Sequence, residues 1–142
     1  AQVIHSPGGT ILPGLIDVHV HITNDGGPGK TGAVLGDAFE AAADLAMRGY
    51  ANALVSLRAG YTTLRNLHSP LFADVAVRDA ITSGRLVGPR LVVCGQGLCV
   101  TGGHMDKGCL PAQVSVTGRI GVCDRSKMPS LPVSTPLSTA TG

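Results

Sequence analysis

The stretch from Gly8 to Ile22 reads GGTILPGLIDVHVHI, a Pro-Gly turn followed by a short run of strand-forming residues. A near-continuous apolar run of this length is typical of a strand that is buried on both faces in a parallel sheet. His19 and His21 stand at its end. Residues two apart in a strand point to the same face, about 6.5–7 Å apart along the chain. Two imidazoles so placed can bind one metal ion, each at roughly 2.0–2.1 Å, and Asp17 falls on the same face.

Strand and helix patterns alternate after this stretch. The chain continues with a glycine-rich loop over 24–36, a helix over 37–59, a strand over 61–67, a helix over 72–83 and a strand over 90–94. Gly60 and Gly84 are natural stops for the two helices. Strands that alternate with helices in this way predict βαβ units and a parallel sheet.

The spacing of apolar residues predicts which side of each helix is buried. In the first helix the residues at three- and four-residue intervals are Ala46, Tyr50, Ala53, Leu54 and Leu57. In the second they are Phe72, Val75, Ala76 and Ala80. Asp74 and Arg78 are four residues apart, which predicts an ion pair on the surface of the second helix.

Length and composition limit the classes of function. The chain has 142 residues, which is one ordinary domain and far fewer than the roughly 250 of a whole (β/α)8 barrel. A net charge of +2 gives no electrostatic support for a nucleic-acid or membrane partner. No apolar stretch approaches the ~20 residues of a membrane span, and no signal sequence is visible, so a cytoplasmic protein is expected. The four cysteines lack Cys-x-x-Cys spacing, which favours free thiols over a zinc ribbon or a disulfide framework.

Several motifs resemble the amidohydrolase superfamily. The segment PGLIDVHVH at 13–21 is similar to the first-strand signature of that family, and AGYTTLRNL at 59–67 is similar to its second-strand segment. Asp79-Ala80-Ile81 followed by Gly88-Pro89-Arg90 resembles the entry to the third strand. VTGGH at 100–104 resembles the branch that includes imidazolonepropionase-like enzymes and metal-dependent Xaa-Pro dipeptidases. The similarity extends over about residues 8–124.

The resemblance implies a fold and a chemistry. The fold would be a distorted (β/α)8 barrel, of which this chain holds roughly the first three β/α units. His19 and His21 would bind a divalent metal, with zinc as the expected ion and one or two ions in the family. The reaction would be hydrolysis of a C–N bond in a small amide or dipeptide-like substrate. His104 would contact that substrate, the alternative being a solvent-exposed loop histidine. Asp17 is expected to orient the metal ligands or to be a hydrogen-bonding group at the barrel end, rather than to be a ligand itself.

The pattern ends near Asp124. Residues 125–142 are rich in Ser, Thr and Pro and have no helical or strand periodicity, which predicts a disordered or out-of-frame tail. Residues 1–10 resemble the remnant of an N-terminal β domain, and residues 11–124 the partial barrel. The family's bridging lysine, later histidines and aspartate have no matching positions here. We therefore expect an N-terminal piece that is catalytically incomplete alone.

Two other functions stay open at this point. A truncated barrel could be a non-catalytic interaction protein that pairs with a full-length homologue through its open sheet edge, which would make a homo-oligomer possible. A small independent α/β binding domain is the other alternative.

Overall fold

A three-stranded parallel sheet with helices between its strands organises the described part of the chain. The computed structural model describes residues 5–24, 40–105 and 121–122. In chain order the elements are β1 (Leu15–Val20), α1 (Ala42–Arg58), β2 (Tyr61–Asn66), a 3-10 turn (Pro70–Phe72), α2 (Ala73–Thr82) and β3 (Arg90–Val93). The strand order is β1-β2-β3, and both pairings are parallel. Because each strand pairs with its neighbour in sequence, the predicted α/β class and partial (β/α)8 architecture are confirmed.

A second, smaller sheet follows β3. It pairs β4 (Leu98–Cys99) with β5 (Gly121–Val122) in parallel. The sequence pattern predicts neither strand, since two residues are too few to show a period. The β-domain remnant at 1–10 stays a prediction, and the described residues of that segment form a turn in which the Gly9 N–H donates to the Ser6 carbonyl at 3.2 Å. The predicted tail at 125–142 and most of the loop at 24–36 lie outside the described residues.

The first helix begins later than its periodicity predicts. Residues 40 and 41 are not helical, and 37–39 lie outside the described residues. The helix ends where predicted, before Gly60, which adopts φ +98°. Its buried residues are Leu45, Gly49 and Ala53, so the buried face is rotated from the predicted one, and Ala46 and Tyr50 pack at its margin. Gly49 allows this rotation, because a Cβ there would lie only 3.3 Å from Thr23 Cγ2.

The predicted apolar face of the second helix is wrong. Its buried residues are Ala73, Asp74 and Val77. Phe72 lies outside the helix with φ 55° and is half exposed. The predicted ion pair between Asp74 and Arg78 is also wrong, because Asp74 is fully buried and Arg78 pairs instead with Asp79 at 2.7 Å. Asp74, an acidic residue in the first turn of α2, therefore lies in the interior of the fold.

The core lies between the sheet and the two helices. It consists of Ile22, Ala53, Leu64, Val77 and Leu91. The prediction that β1 is buried on both faces is wrong: Ile16 is 65% exposed, and Val18 is also exposed. Val92 of β3 is exposed as well. Among the described residues only β2 has a strand on each side, and α1 and α2 cover one face of the sheet. No helix of the described chain is long and apolar enough to cross a membrane.

The entry to β1 yields a stability prediction. Gly14 lies against Thr62, and an added Cβ would come within 2.7 Å of the Thr62 Cβ, which no side-chain rotation can move away. We expect Gly14→Ala to lower the free energy of unfolding by about 1–3 kcal/mol, measured by urea denaturation. Gly9→Ala is the control, since its nearest neighbour is the movable Ser6 hydroxyl. Equal loss in both variants would contradict this account of the β1–β2 contact.

Candidate metal centre

Two histidines lie side by side at the carboxyl end of β1. His19 and His21 are both exposed, their ring centroids are 5.3 Å apart, and their planes meet at 73°. The strand continues into a turn in which the Asn24 N–H donates to the His21 carbonyl at 3.1 Å. The two imidazoles are therefore adjacent and open to solvent at the end of the sheet where parallel α/β folds place their active sites. Their binding of a metal stays a prediction.

Asp17 contacts the backbone of the histidine segment. Its Oδ1 accepts a hydrogen bond from the His19 N–H at 3.0 Å. The ladder is irregular here: Asp17 pairs with Leu64 and Val20 with Asn66, so three steps along β1 match two along β2. The simple alternation that predicts Asp17 on the histidine face is interrupted at this irregularity. Its role in orienting a metal ligand stays a prediction, and the contact that supports it runs through the His19 main chain.

His104 lies within electrostatic reach of the pair. The pKa of His21 is lowered by burial first, then by repulsion from His19 and from His104. His104 is itself exposed, two residues beyond Gly102 in the turn that follows β4, where the Gly103 N–H donates to the Val100 carbonyl at 2.8 Å. The fold thus brings near the strand pair a histidine that is more than eighty positions away in sequence. Its contact with substrate stays a prediction.

The backbone just after His21 is held by two asparagine side chains that the sequence pattern does not single out. Asn66, at the end of β2, accepts a hydrogen bond at Oδ1 from the Ile22 N–H at 2.9 Å. Asn52, on α1, donates from Nδ2 to the Ile22 carbonyl at 2.7 Å and to the Asn24 carbonyl at 3.1 Å. Both polar groups of the Ile22 main chain are therefore bound by side chains from other elements.

Asn66 is in turn held by a buried carboxylate. Its Nδ2 donates to Asp74 Oδ2 at 2.9 Å and to the His68 carbonyl at 3.0 Å. Asp74 Oδ2 also accepts the Gly95 N–H at 3.2 Å, and Oδ1 accepts the Val75 N–H at 2.9 Å. Asn66 and Asp74 are both fully buried. This network joins the carboxyl ends of β1, β2 and β3, and the only sequence signal for it is an Asp in the first turn of a helix that packs on the sheet.

His68 fixes the loop that follows β3. Its Nδ1 accepts a hydrogen bond from the Gly97 N–H at 2.9 Å. A neutral imidazole that accepts at Nδ1 carries its proton on Nε2. A Cβ on Gly97 would lie 3.1 Å from this nitrogen, so glycine permits the close approach. His68 therefore has a structural partner, although no motif marks it.

The donor set fits a divalent metal but is small. Among the described residues no group of three His, Cys, Asp or Glu side chains could hold a metal ion. Neutral imidazole is nevertheless the commonest protein ligand for zinc and related ions, and two exposed imidazoles stand together here. Cys94 and Cys99 are free thiols, and the pKa of Cys94 is raised by burial and by Asp74, which favours the thiol over the metal-binding thiolate.

The fold is that of a partial (β/α)8 barrel with two histidines at the carboxyl end of its first strand. The model of the Amidohydrolase family matches residues 10–127, so the chain belongs to that family. The predicted family is therefore confirmed, and members of this family generally use divalent metals. No curated protein matches the sequence.

Solved structures with similar folds include a dipeptidase, an ochratoxinase and a prolidase. A Xaa-Pro dipeptidase with bound methionine in its active site is 29% identical, with a TM-score of 0.63 over 72% of this chain and 25% of its own. The ochratoxinase of A. niger is 26% identical, with a TM-score of 0.65 over 79% of this chain and 28% of its own. A prolidase complexed with N-methylphosphonate-L-proline is 26% identical, with a TM-score of 0.58 over 79% of this chain and 27% of its own. The chain thus spans about a quarter of the length of these proteins.

The proximity of the three histidines can be tested without a metal. Each positive neighbour removed should raise the pKa of His21 toward its ordinary value of 6.5, and His19 is a larger cause of the lowering than His104. We expect the His21 ring to titrate at higher pH in His19→Gln, and at slightly higher pH in His104→Gln, in NMR titrations of the ring C–H signals. His5→Gln is the control and should leave it unchanged.

The lowered pKa of His21 also determines how the stability of the fold changes with pH. A lowered pKa means that the unfolded chain binds this proton more readily, so the contribution of His21 to stability is present above about pH 6.5 and is lost as the pH falls below that value. If neither His19→Gln nor His104→Gln changes the midpoint of the His21 NMR titration, the placement of His19 and His104 around His21 is contradicted.

Proposed function

We propose that this chain contributes the first metal ligands of a hydrolase that cleaves C–N bonds in small amides or dipeptides. The observation that carries the proposal is the adjacent, exposed pair His19 and His21 at the carboxyl end of the first strand of an amidohydrolase-family sheet. The dipeptidase and prolidase among its structural neighbours support a dipeptide-like substrate, with a C-terminal proline as the first compound to examine.

The residues divide the chemistry among them. His19 and His21 would hold the ion, for which zinc suits the imidazole ligands. When bound, such an ion lowers the pKa of its water toward ~7 and polarises a carbonyl. His104 donates a hydrogen bond to the substrate carbonyl oxygen, where negative charge develops. Asp17 holds the His19 main chain through its N–H, which limits movement of that ring relative to its neighbour.

The described residues supply only part of such a site. Catalytic zinc sites normally have three protein ligands, and here two imidazoles stand together. We therefore propose that the 142-residue chain binds zinc at the histidine pair more weakly than a complete catalytic site does. By the same reasoning it does not release proline from a Xaa-Pro dipeptide by itself.

Zinc titration tests this proposal. We expect the chain to bind one Zn²⁺, with affinity reduced roughly tenfold or more in His19→Gln and in His21→Gln, as measured by competition with a chromogenic chelator. His5→Gln is the matched control, because it removes an exposed histidine outside the pair.

Two results would count against the proposal. Zinc affinity that is unchanged in both pair variants would remove the metal role, and proline release by the zinc-loaded chain would contradict its incompleteness. Loss of the metal role would favour the non-catalytic alternative, a protein that pairs with a homologue through β1. That alternative is supported by the exposure of Ile16 and Val18 on an edge strand.

A further inference from the structure

Side-chain hydrogen bonds and burial in the core hold the turn that follows His21, although the histidine itself is exposed. The Ile22 main chain is bound on its N–H by Asn66 Oδ1 at 2.9 Å and on its carbonyl by Asn52 Nδ2 at 2.7 Å. Ile22 itself is 3% exposed and belongs to the core. The residue that follows His21 is therefore fixed by one apolar side chain and two side-chain hydrogen bonds.

The orientation of the Asn66 amide is determined by its other partners. Nδ2 must donate to Asp74 Oδ2 and to the His68 carbonyl, both of which are acceptors, so Oδ1 has to face the Ile22 N–H. Asp74 cannot shift freely, because its carboxylate also accepts the N–H groups of Gly95 and Val75. A reversed amide would place a donor against a donor in a fully buried position, which is costly.

We propose that Asn66 and Asn52 are positioning residues for the His19–His21 pair. They fix the main chain directly after His21, and this sets the direction from which its ring approaches a divalent ion. The proposal rests on the function proposed above only in its choice of ligand. Groups that do not touch a metal ion commonly orient the residues that bind it. Asn66 and Asn52 would act in this way at the end of β1.

The test compares three single variants of the full chain. Asn66→Ala removes the hydrogen bond to the Ile22 N–H, and Asn52→Ala removes the one to the Ile22 carbonyl. Because Asn66 is fully buried and its removal could unfold the chain, Asn52→Ala is the second, milder probe, as Asn52 is only partly buried. The control is Ser69→Ala: Ser69 is buried beside the same network and accepts the Asp74 N–H at 3.2 Å. Its other hydrogen bonds within the described part of the chain go to Pro70 and Gly95 and not to the histidine segment.

Three readouts separate positioning from general stability. Without metal, hydrogen exchange of the Ile22 N–H should accelerate roughly tenfold in Asn66→Ala, and the ring C–H signals of His19 and His21 should shift in both asparagine variants. With Zn²⁺ added, the affinity should fall roughly tenfold in both. Ser69→Ala should lose stability to urea while its ring signals and zinc affinity stay within twofold of the parent chain.

The outcomes distinguish this inference from the proposed function. Ring signals and zinc affinity that change no more in the asparagine variants than in Ser69→Ala would overturn the positioning role. If the parent chain binds no zinc at the pair, the proposed function fails. In that case the metal-free ring signals and the exchange rate still decide whether Asn66 and Asn52 position the histidines.

Discussion

The hydrogen bond between the Asn66 amide and the Asp74 carboxylate is the contact on which the rest of the structure depends. Both side chains are fully buried, and the Asp74 carboxylate accepts hydrogen bonds from three N–H donors. A buried carboxylate is tolerated only when its oxygens are satisfied, so each of these donors is required where it is. Through them the ends of β1, β2 and β3 are joined at one edge of the sheet.

The histidine pair and the side chains that hold the neighbouring turns lie at this carboxyl end of the sheet. The histidine pair continues directly into the turn held by Asn66, and the loop after β3 is held by His68 and by Asp74. The apolar core lies beneath, with Leu64 and Leu91 from the strands and Ala53 and Val77 from the helices. The polar network therefore forms a boundary layer between the packed core and the exposed imidazoles.

Periodicity predicts the elements but not their surroundings. The β/α alternation, the ends of the helices at glycines and the placement of the histidine pair follow from local pattern, and the structure has the three parallel strands in sequence order. The buried face of α2 could not be predicted from the sequence. Asp74 has the spacing of an exposed acidic residue, and its hydrogen-bond partners, the Gly95 N–H and Asn66, come from other elements of the fold. The prediction that β1 is buried was wrong for a similar reason. An apolar run predicts a strand, but tertiary structure determines which elements cover that strand.

The candidate site divides in the same way. His19 and His21 carry a motif, whereas Asn52 and Asn66 act through the main chain of their neighbour and have no distinctive spacing. The most direct measurement of the central claim is X-ray absorption at the zinc edge of the loaded chain. We expect scattering from two imidazole rings with nitrogens at roughly 2.0–2.1 Å, and we expect this scattering to be lost in a variant that lacks both histidines. A zinc shell of oxygen or sulfur alone, with no imidazole scattering, would contradict it.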